Sequence, residues 1–256
     1  MIRSSILRLP SAATGALLLT ALASLPATRL AAQIPDEFTN LKVLPKDITR
    51  ERLTGIMRGF TAALGVRCST CHVGEEGLPL ATYDFASDDK ATKLKAREML
   101  KMVQAINGDY LANLPQRKQP NVSVTCATCH RGVQRPEPIE SIVENTMSEE
   151  DLEFAIQRYR ELREKYYGSA AYDFTDRPLA GLAQRLARDD ADAAKRIAEL
   201  NLEFNPQSAM SYDVLGGIAE QAGDNAAAID AYKKALAINP DDRRAQERLK
   251  ELGGGA

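Results

Sequence analysis

Apolar residues recur along most of this chain at intervals of three and four, the spacing that gathers side chains on one face of an α-helix. Between Thr49 and Leu64 these positions are Leu53, Ile56, Met57, Phe60 and Leu64, and Gly65 follows as a stop. A second helix is expected from Ser87, as its cap, to Ile106, with Leu94, Met99, Met102, Val103 and Ile106 on the apolar side and Asn107-Gly108 ending it. Asn113 to Pro120, with prolines at 115 and 120, reads as a loop. After Arg135-Pro136-Glu137-Pro138, residues 135–147 read as a linker. A polar connecting helix over 148–171 is then expected, running from Ser148 to about Tyr167, with Asp151 completing a capping-box variant.

Residues 172–252 are alanine-rich and periodic. Over 209–242, Tyr212, Leu215, Gly216, Ala228, Tyr232, Ala235 and Pro240 match a tetratricopeptide repeat. Pro206 precedes Pro240 by 34 residues, which predicts a degenerate earlier repeat over 175–208, with Ala194 and Pro206 in register. Gly223-Asp224 supplies a turn between helices, and Asp241 to Leu252 reads as a charged capping helix. Such a tail either docks a protein partner or only packs and stabilises. The expected class is all-α.

The amino-terminal stretch has a different pattern. Arg3 and Arg8 precede an apolar run from Ala12 to Ala27, and the small residues Ala31 and Ala32 follow. That order reads as a secretory signal peptide over 1–32, because the run falls short of the roughly 20 apolar residues of a spanning helix. The expectation is export to the periplasm. Cleavage would remove Arg3, Arg8 and Arg29 and no acid, leaving 30 basic against 35 acidic residues, a charge of −5. An acidic balance argues against nucleic acid and favours a basic patch on a partner.

All four cysteines and both histidines fall in two runs, Cys68-Ser69-Thr70-Cys71-His72 and Cys126-Ala127-Thr128-Cys129-His130. Exported cysteines often pair as disulfides, and paired Cys-x-x-Cys can hold zinc or act as a redox dithiol. A histidine directly after the second cysteine points elsewhere. Two thiols at this spacing can add across the vinyl groups of a haem, and the adjacent imidazole then binds its iron axially. The chain is therefore expected to carry two covalently bound haem c groups in a segment spanning 36–134. No further histidine remains for the other face of either iron. The sixth ligand is then methionine or a rarer donor, or the position is open. Met57 is a candidate at the first iron, with plain packing as its alternative. Met99 and Met102, one turn apart, are both candidates at the second. Met147 and Met210 lie in the second half and are read as packing residues. Arg67 and Arg131, beside the motifs, are either propionate partners or solvated charges.

From Leu41 to Gly132 the chain resembles the cytochrome subunit of bacterial photosynthetic reaction centres, specifically one of its haem pairs. The resemblance rests on Leu41-Lys42-Val43-Leu44, on Met57 ahead of Cys68, and on Ala96-Arg97-Glu98-Met99-Leu100-Lys101-Met102. It continues through Ala105-Ile106-Asn107 and Val124 to Gly132. It implies His72 with Met57 and His130 with Met99 as axial pairs, Met102 being the alternative to Met99. It also implies single-electron transfer with a donor and an acceptor, either a membrane reaction centre or a respiratory complex. Family members carry four haems where this chain has motifs for two, and the region Tyr110 to Leu114 lacks a histidine found in part of the family. The expectation is an electron carrier and not an enzyme. A haem enzyme or gas sensor with an open site, or a repeat-based assembly factor with accessory haems, is the alternative.

Overall fold

The computed structural model describes residues 37–116 and 121–254, so the expected export signal lies outside the described residues. The fold is all-α: among the described residues no strand forms, only an isolated bridge between Val73 and Asp84.

Helix α1 (Arg50–Leu64) starts where Thr49 Oγ1 accepts from the Arg52 amide at 3.3 Å. It stops where Gly65 turns left-handed at φ 63°, as the pattern indicates. Its apolar face is only partly covered by protein. Leu53 and Ala63 are buried, whereas Ile56, Met57, Phe60 and Leu64 are half-buried.

Helix α2 (Ala91–Ala105) departs from expectation at both ends. It begins at Ala91 and not after Ser87, because the backbone of 84–89 finds partners outside a helix. Asp84 Oδ1 accepts from the amides of Ala86 and Ser87, each at 2.9 Å, and Ser87 Oγ accepts from the Asp89 amide. Lys93 Nζ donates to the carbonyls of Phe85, Ala86 and Ser87. Nor does Asn107-Gly108 end the helix. The chain continues as a π-helical turn over Ile106–Tyr110 and a 3₁₀ turn over Leu111–Asn113. Asn107 spends its side chain on Val124, donating to the carbonyl at 2.8 Å and accepting from the amide at 2.7 Å.

Helix α3 (Cys126–His130) is opened by a capping box between Thr125 and Thr128. It packs on α1, and beyond it the Gly132 amide donates to the Ala63 carbonyl at 2.8 Å.

The stretch read as a linker, 135–147, is mostly helix: α4 runs Ile139–Glu149. Ile139, Ile142, Val143 and Met147 have helical spacing, and Pro138 stands at the helix start, where proline is tolerated. The connecting helix consequently begins later than Ser148. Asp151 caps α5 (Leu152–Tyr166), its Oδ1 accepting from the Phe154 amide at 2.8 Å. Helices α6 (Asp176–Leu186), α7 (Ala191–Phe204), α8 (Ala209–Gln221) and α9 (Asn225–Ile238) form two successive helix pairs, and α10 (Arg243–Glu251) closes the array. Asp190 and Asp224, 34 residues apart, cap the second helix of each pair in the same way. Gly216 lets the Tyr232 ring sit against α8, since a Cβ there would lie 2.7 Å from it.

The cores are unevenly shared. Ile139, Val143, Tyr159, Leu179, Leu182 and Ile197 anchor a cluster spanning α4 to α8, and Tyr232 with Leu249 anchors another around α9 and α10. Among the described residues before Ile139, the buried apolar side chains are only Leu53, Ala63, Tyr83 and Val133. Several apolar side chains of this segment, Ile56, Met57, Phe60 and Leu64 among them, are left only half-buried by protein.

Candidate haem sites

The apolar face of α1, the first motif and one face of α2 enclose a cavity of about 430 Å³, within the size range of small-molecule and cofactor sites. Met57 and Phe60 wall it from α1; Cys68, Cys71 and His72 line it from the motif; Leu41 and Leu44 close it from the preceding chain. The motif is a 3₁₀ turn over Cys68–Thr70, in which the His72 amide donates to the Cys68 carbonyl at 3.0 Å. His72 stands edge-on to Phe85 at 4.9 Å, and Phe85 stacks on Tyr83 at 5.7 Å. Tyr83 fits against the backbone because residue 74 is glycine: a Cβ there would lie 2.4 Å from the ring.

His72 Nδ1 is buried and has no hydrogen-bond partner. Burial, and after it the charge of Lys93, pushes the imidazole below its ordinary value, with the Phe85 backbone opposing. The ring is thereby kept neutral, the form that binds a metal. Burial also pushes the Cys71 and Cys126 thiols up. Such thiols are poor thiolates, which disfavours the redox-dithiol reading. All four cysteines are free. Among the described residues no group of three or more His, Cys, Asp or Glu could hold a metal ion.

The polar part of the cavity wall was not foreseen. Lys93 and Arg97 both line it, and both are largely buried, with side chains 11% and 14% exposed. They share Asp88, at 3.2 and 2.9 Å, while Asn40 Nδ2 donates to the same carboxylate at 2.8 Å and Arg97 donates to the Asn40 carbonyl. Bonding to Arg97, above all, and to Lys93 holds the Asp88 carboxyl at about 2 against the opposing effect of burial. Arg67 instead pairs with Glu76 at the surface, and Arg131 is the exposed left-handed cap of α3.

The second motif lies on α3, away from this cavity. The His130 Nδ1–H donates to the Val133 carbonyl at 3.0 Å, which leaves Nε2 as the free lone pair for a metal. On α2, Lys93, Ala96, Arg97 and Leu100 face the first cavity, whereas Met99 and Met102 lie on another side of the helix and are 43% and 45% exposed. The structure thus brings Met57, Cys68, Cys71 and His72 together. Met99, Met102, Cys126, Cys129 and His130 lie outside that cavity, and the structure does not separate Met99 from Met102.

An apolar cavity bordered by two thiols, with a neutral imidazole, a thioether and two buried cations on its wall, fits a covalently attached haem bearing propionates. The similarity to known proteins agrees. The family model for the photosynthetic reaction centre cytochrome C subunit matches residues 23–199, reaching past the motifs into α7. Cytochrome c-554 of Chloroflexus aurantiacus is 36% identical over 91 residues, which cover 36% of this chain and 20% of that protein. The photosynthetic reaction center cytochrome c subunit of Thermochromatium tepidum is 34% identical over 97 residues, covering 37% and 20%. That of Roseobacter denitrificans is 32% identical over 106 residues, covering 41% and 26%. The chain therefore spans about a fifth to a quarter of the length of these relatives.

Proposed function

The chain belongs to the photosynthetic reaction-centre cytochrome c subunit family, and on that premise we propose that it is an exported dihaem c-type cytochrome that passes single electrons between protein partners outside the cytoplasmic membrane. The observation that carries the reading is the single cavity lined by Met57, Cys68, Cys71 and His72.

Bound haem c supplies reversible one-electron chemistry at iron. The chain's own residues hold and tune that group. Cys68 and Cys71 would tether the first haem and Cys126 and Cys129 the second, while His72 and His130 would bind the irons. Met57 and Met99, with Met102 as the alternative to Met99, would close the sixth positions, and sulfur there raises the potential relative to a second imidazole. Lys93 and Arg97 would take a propionate carboxylate, and the Val133 carbonyl holds His130 in the tautomer that presents Nε2.

A membrane reaction centre is the partner that relatives' names suggest, and a respiratory complex would ask the same chemistry of these residues. No described helix is long and apolar enough to cross a membrane. The repeated helix pairs, which match the tetratricopeptide pattern, would dock a protein partner. Charge supports this role for them: residues 37–134 hold 14 Lys and Arg against 10 Asp and Glu, whereas 172–252 hold 11 against 15. A basic partner would be drawn to the helical half.

A second reading is favoured by the exposure of Met99 and Met102: a second haem whose sixth position exchanges with small molecules, as in a sensor or enzyme. Optical spectra of the purified oxidised and reduced protein, with pyridine haemochrome quantitation, decide between them. Two haems per chain, both keeping the methionine-to-ferric-iron band and ignoring carbon monoxide, are expected of the carrier. A high-spin haem that binds carbon monoxide would sink the closed-site assignment.

A further inference from the structure

The two attachment motifs are 58 residues apart in sequence, counted from Cys68 to Cys126, yet the end of α1 is bonded directly to the turn behind the second one. Gly65 caps α1 at φ +63°, and a Cβ there would lie 2.1 Å from the Gly132 carbonyl oxygen and 3.0 Å from its carbon. Both atoms are backbone, so no side chain could swing aside. The Gly132 amide donates to the Ala63 carbonyl at 2.8 Å, closing the contact from the other side. Next in the chain, the buried Val133 donates its amide to the His130 carbonyl at 2.9 Å and accepts from His130 Nδ1 at 3.0 Å. The helix that bears Met57 is thus linked through Ala63, Gly132 and Val133 to the imidazole of the second motif.

We propose that Gly65 is a positioning residue: by leaving room for Gly132 it docks the second motif on the end of α1, and so fixes the spacing and relative orientation of the two haems. This rests on the two-haem reading above. A stop for α1 needs only the positive φ that glycine or asparagine can supply. The contact with Gly132 demands the missing Cβ as well.

The test compares the wild-type holoprotein with Gly65→Ala and Gly77→Ala. Both substitutions place a Cβ at positive φ, but at Gly77, with φ +91°, nothing lies within 4 Å. Both variants should keep two haems per chain by pyridine haemochrome. Gly65→Ala alone should change the separation between the two midpoint potentials and the dipolar broadening between the two ferric irons in electron paramagnetic resonance. The same separation and broadening in all three proteins would overturn the docking role. A wild-type chain with fewer than two haems would overturn the two-haem reading instead. If Gly65→Ala does not accumulate as holoprotein, the wild type decides by hydrogen exchange. The Gly132 amide is expected to exchange as slowly as amides in the middle of α1, and exchange as fast as the Gly77 amide would overturn the contact.

Discussion

At Met57 the proposed ligation turns on residue type and the packing on position. Leucine in its place nearly conserves volume, so Met57→Leu should cost less than about 1.5 kcal/mol of stability. It removes the thioether, so one haem should turn high-spin, bind carbon monoxide and fall in potential. A variant with wild-type spectra and no carbon monoxide binding would return Met57 to plain packing. Asp88 invites a pH experiment. Its carboxyl is held at about 2 against an ordinary 3.8. A depressed carboxyl contributes stability that is fully present above about pH 4 and is lost as pH falls towards 2. Asp88→Asn should therefore be less stable than wild type at neutral pH, and thermal melts should converge between pH 4 and 2. Parallel curves through that window would refute the linkage. The two motifs were legible because each is five consecutive residues. Lys93, Arg97, Asp88 and Asn40 were not recognised as a group, since Asn40 lies 48 residues from Asp88 and 57 from Arg97.

Among the elements, α1 was readable from end to end because its cap, its stripe and its stop are all local. Helix α2 was not, because each of its ends is set by a distant or competing bond. Lys93 draws carbonyls of the preceding segment, and Asn107, read as a helix breaker, bonds Val124 across 17 residues. The same bond pair stations the second motif, since Val124 precedes Cys126 by two residues. Asn107→Ala should cost about 1–3 kcal/mol, because it leaves both Val124 backbone groups without these partners. Denaturant unfolding of the holoprotein measures that loss, and a change under about 0.5 kcal/mol, the ordinary range for surface substitutions, would assign the positioning of Val124 to other contacts. Helix α4 was hidden by its prolines. Pro136 and Pro138 mark a break before the helix, yet Ile139 and Val143 are as buried as any residue in the array.

Across the whole molecule, buried apolar residues are unevenly distributed. From α4 onward the helices bury large side chains against one another, Tyr159, Leu179, Leu182, Ile197 and Tyr232 among them. The motif-bearing segment has little comparable core and instead encloses a cavity whose apolar wall includes Leu44, Leu53, Phe60, Leu64 and Leu100. A haem filling that cavity would stabilise the folded segment by burying this wall, in addition to carrying electrons. Replacing Cys68, Cys71, Cys126 and Cys129 together by alanine should therefore affect the two halves differently. Amides of α1 and α2 should lose most of their hydrogen-exchange protection, while those of α5, α7 and α9 keep theirs and the chain retains a cooperative thermal transition. If the haem-free chain instead protected α1 as strongly as α7, the segment would be self-sufficient. The cavity would then be a preformed receptacle and not a core completed by its ligand.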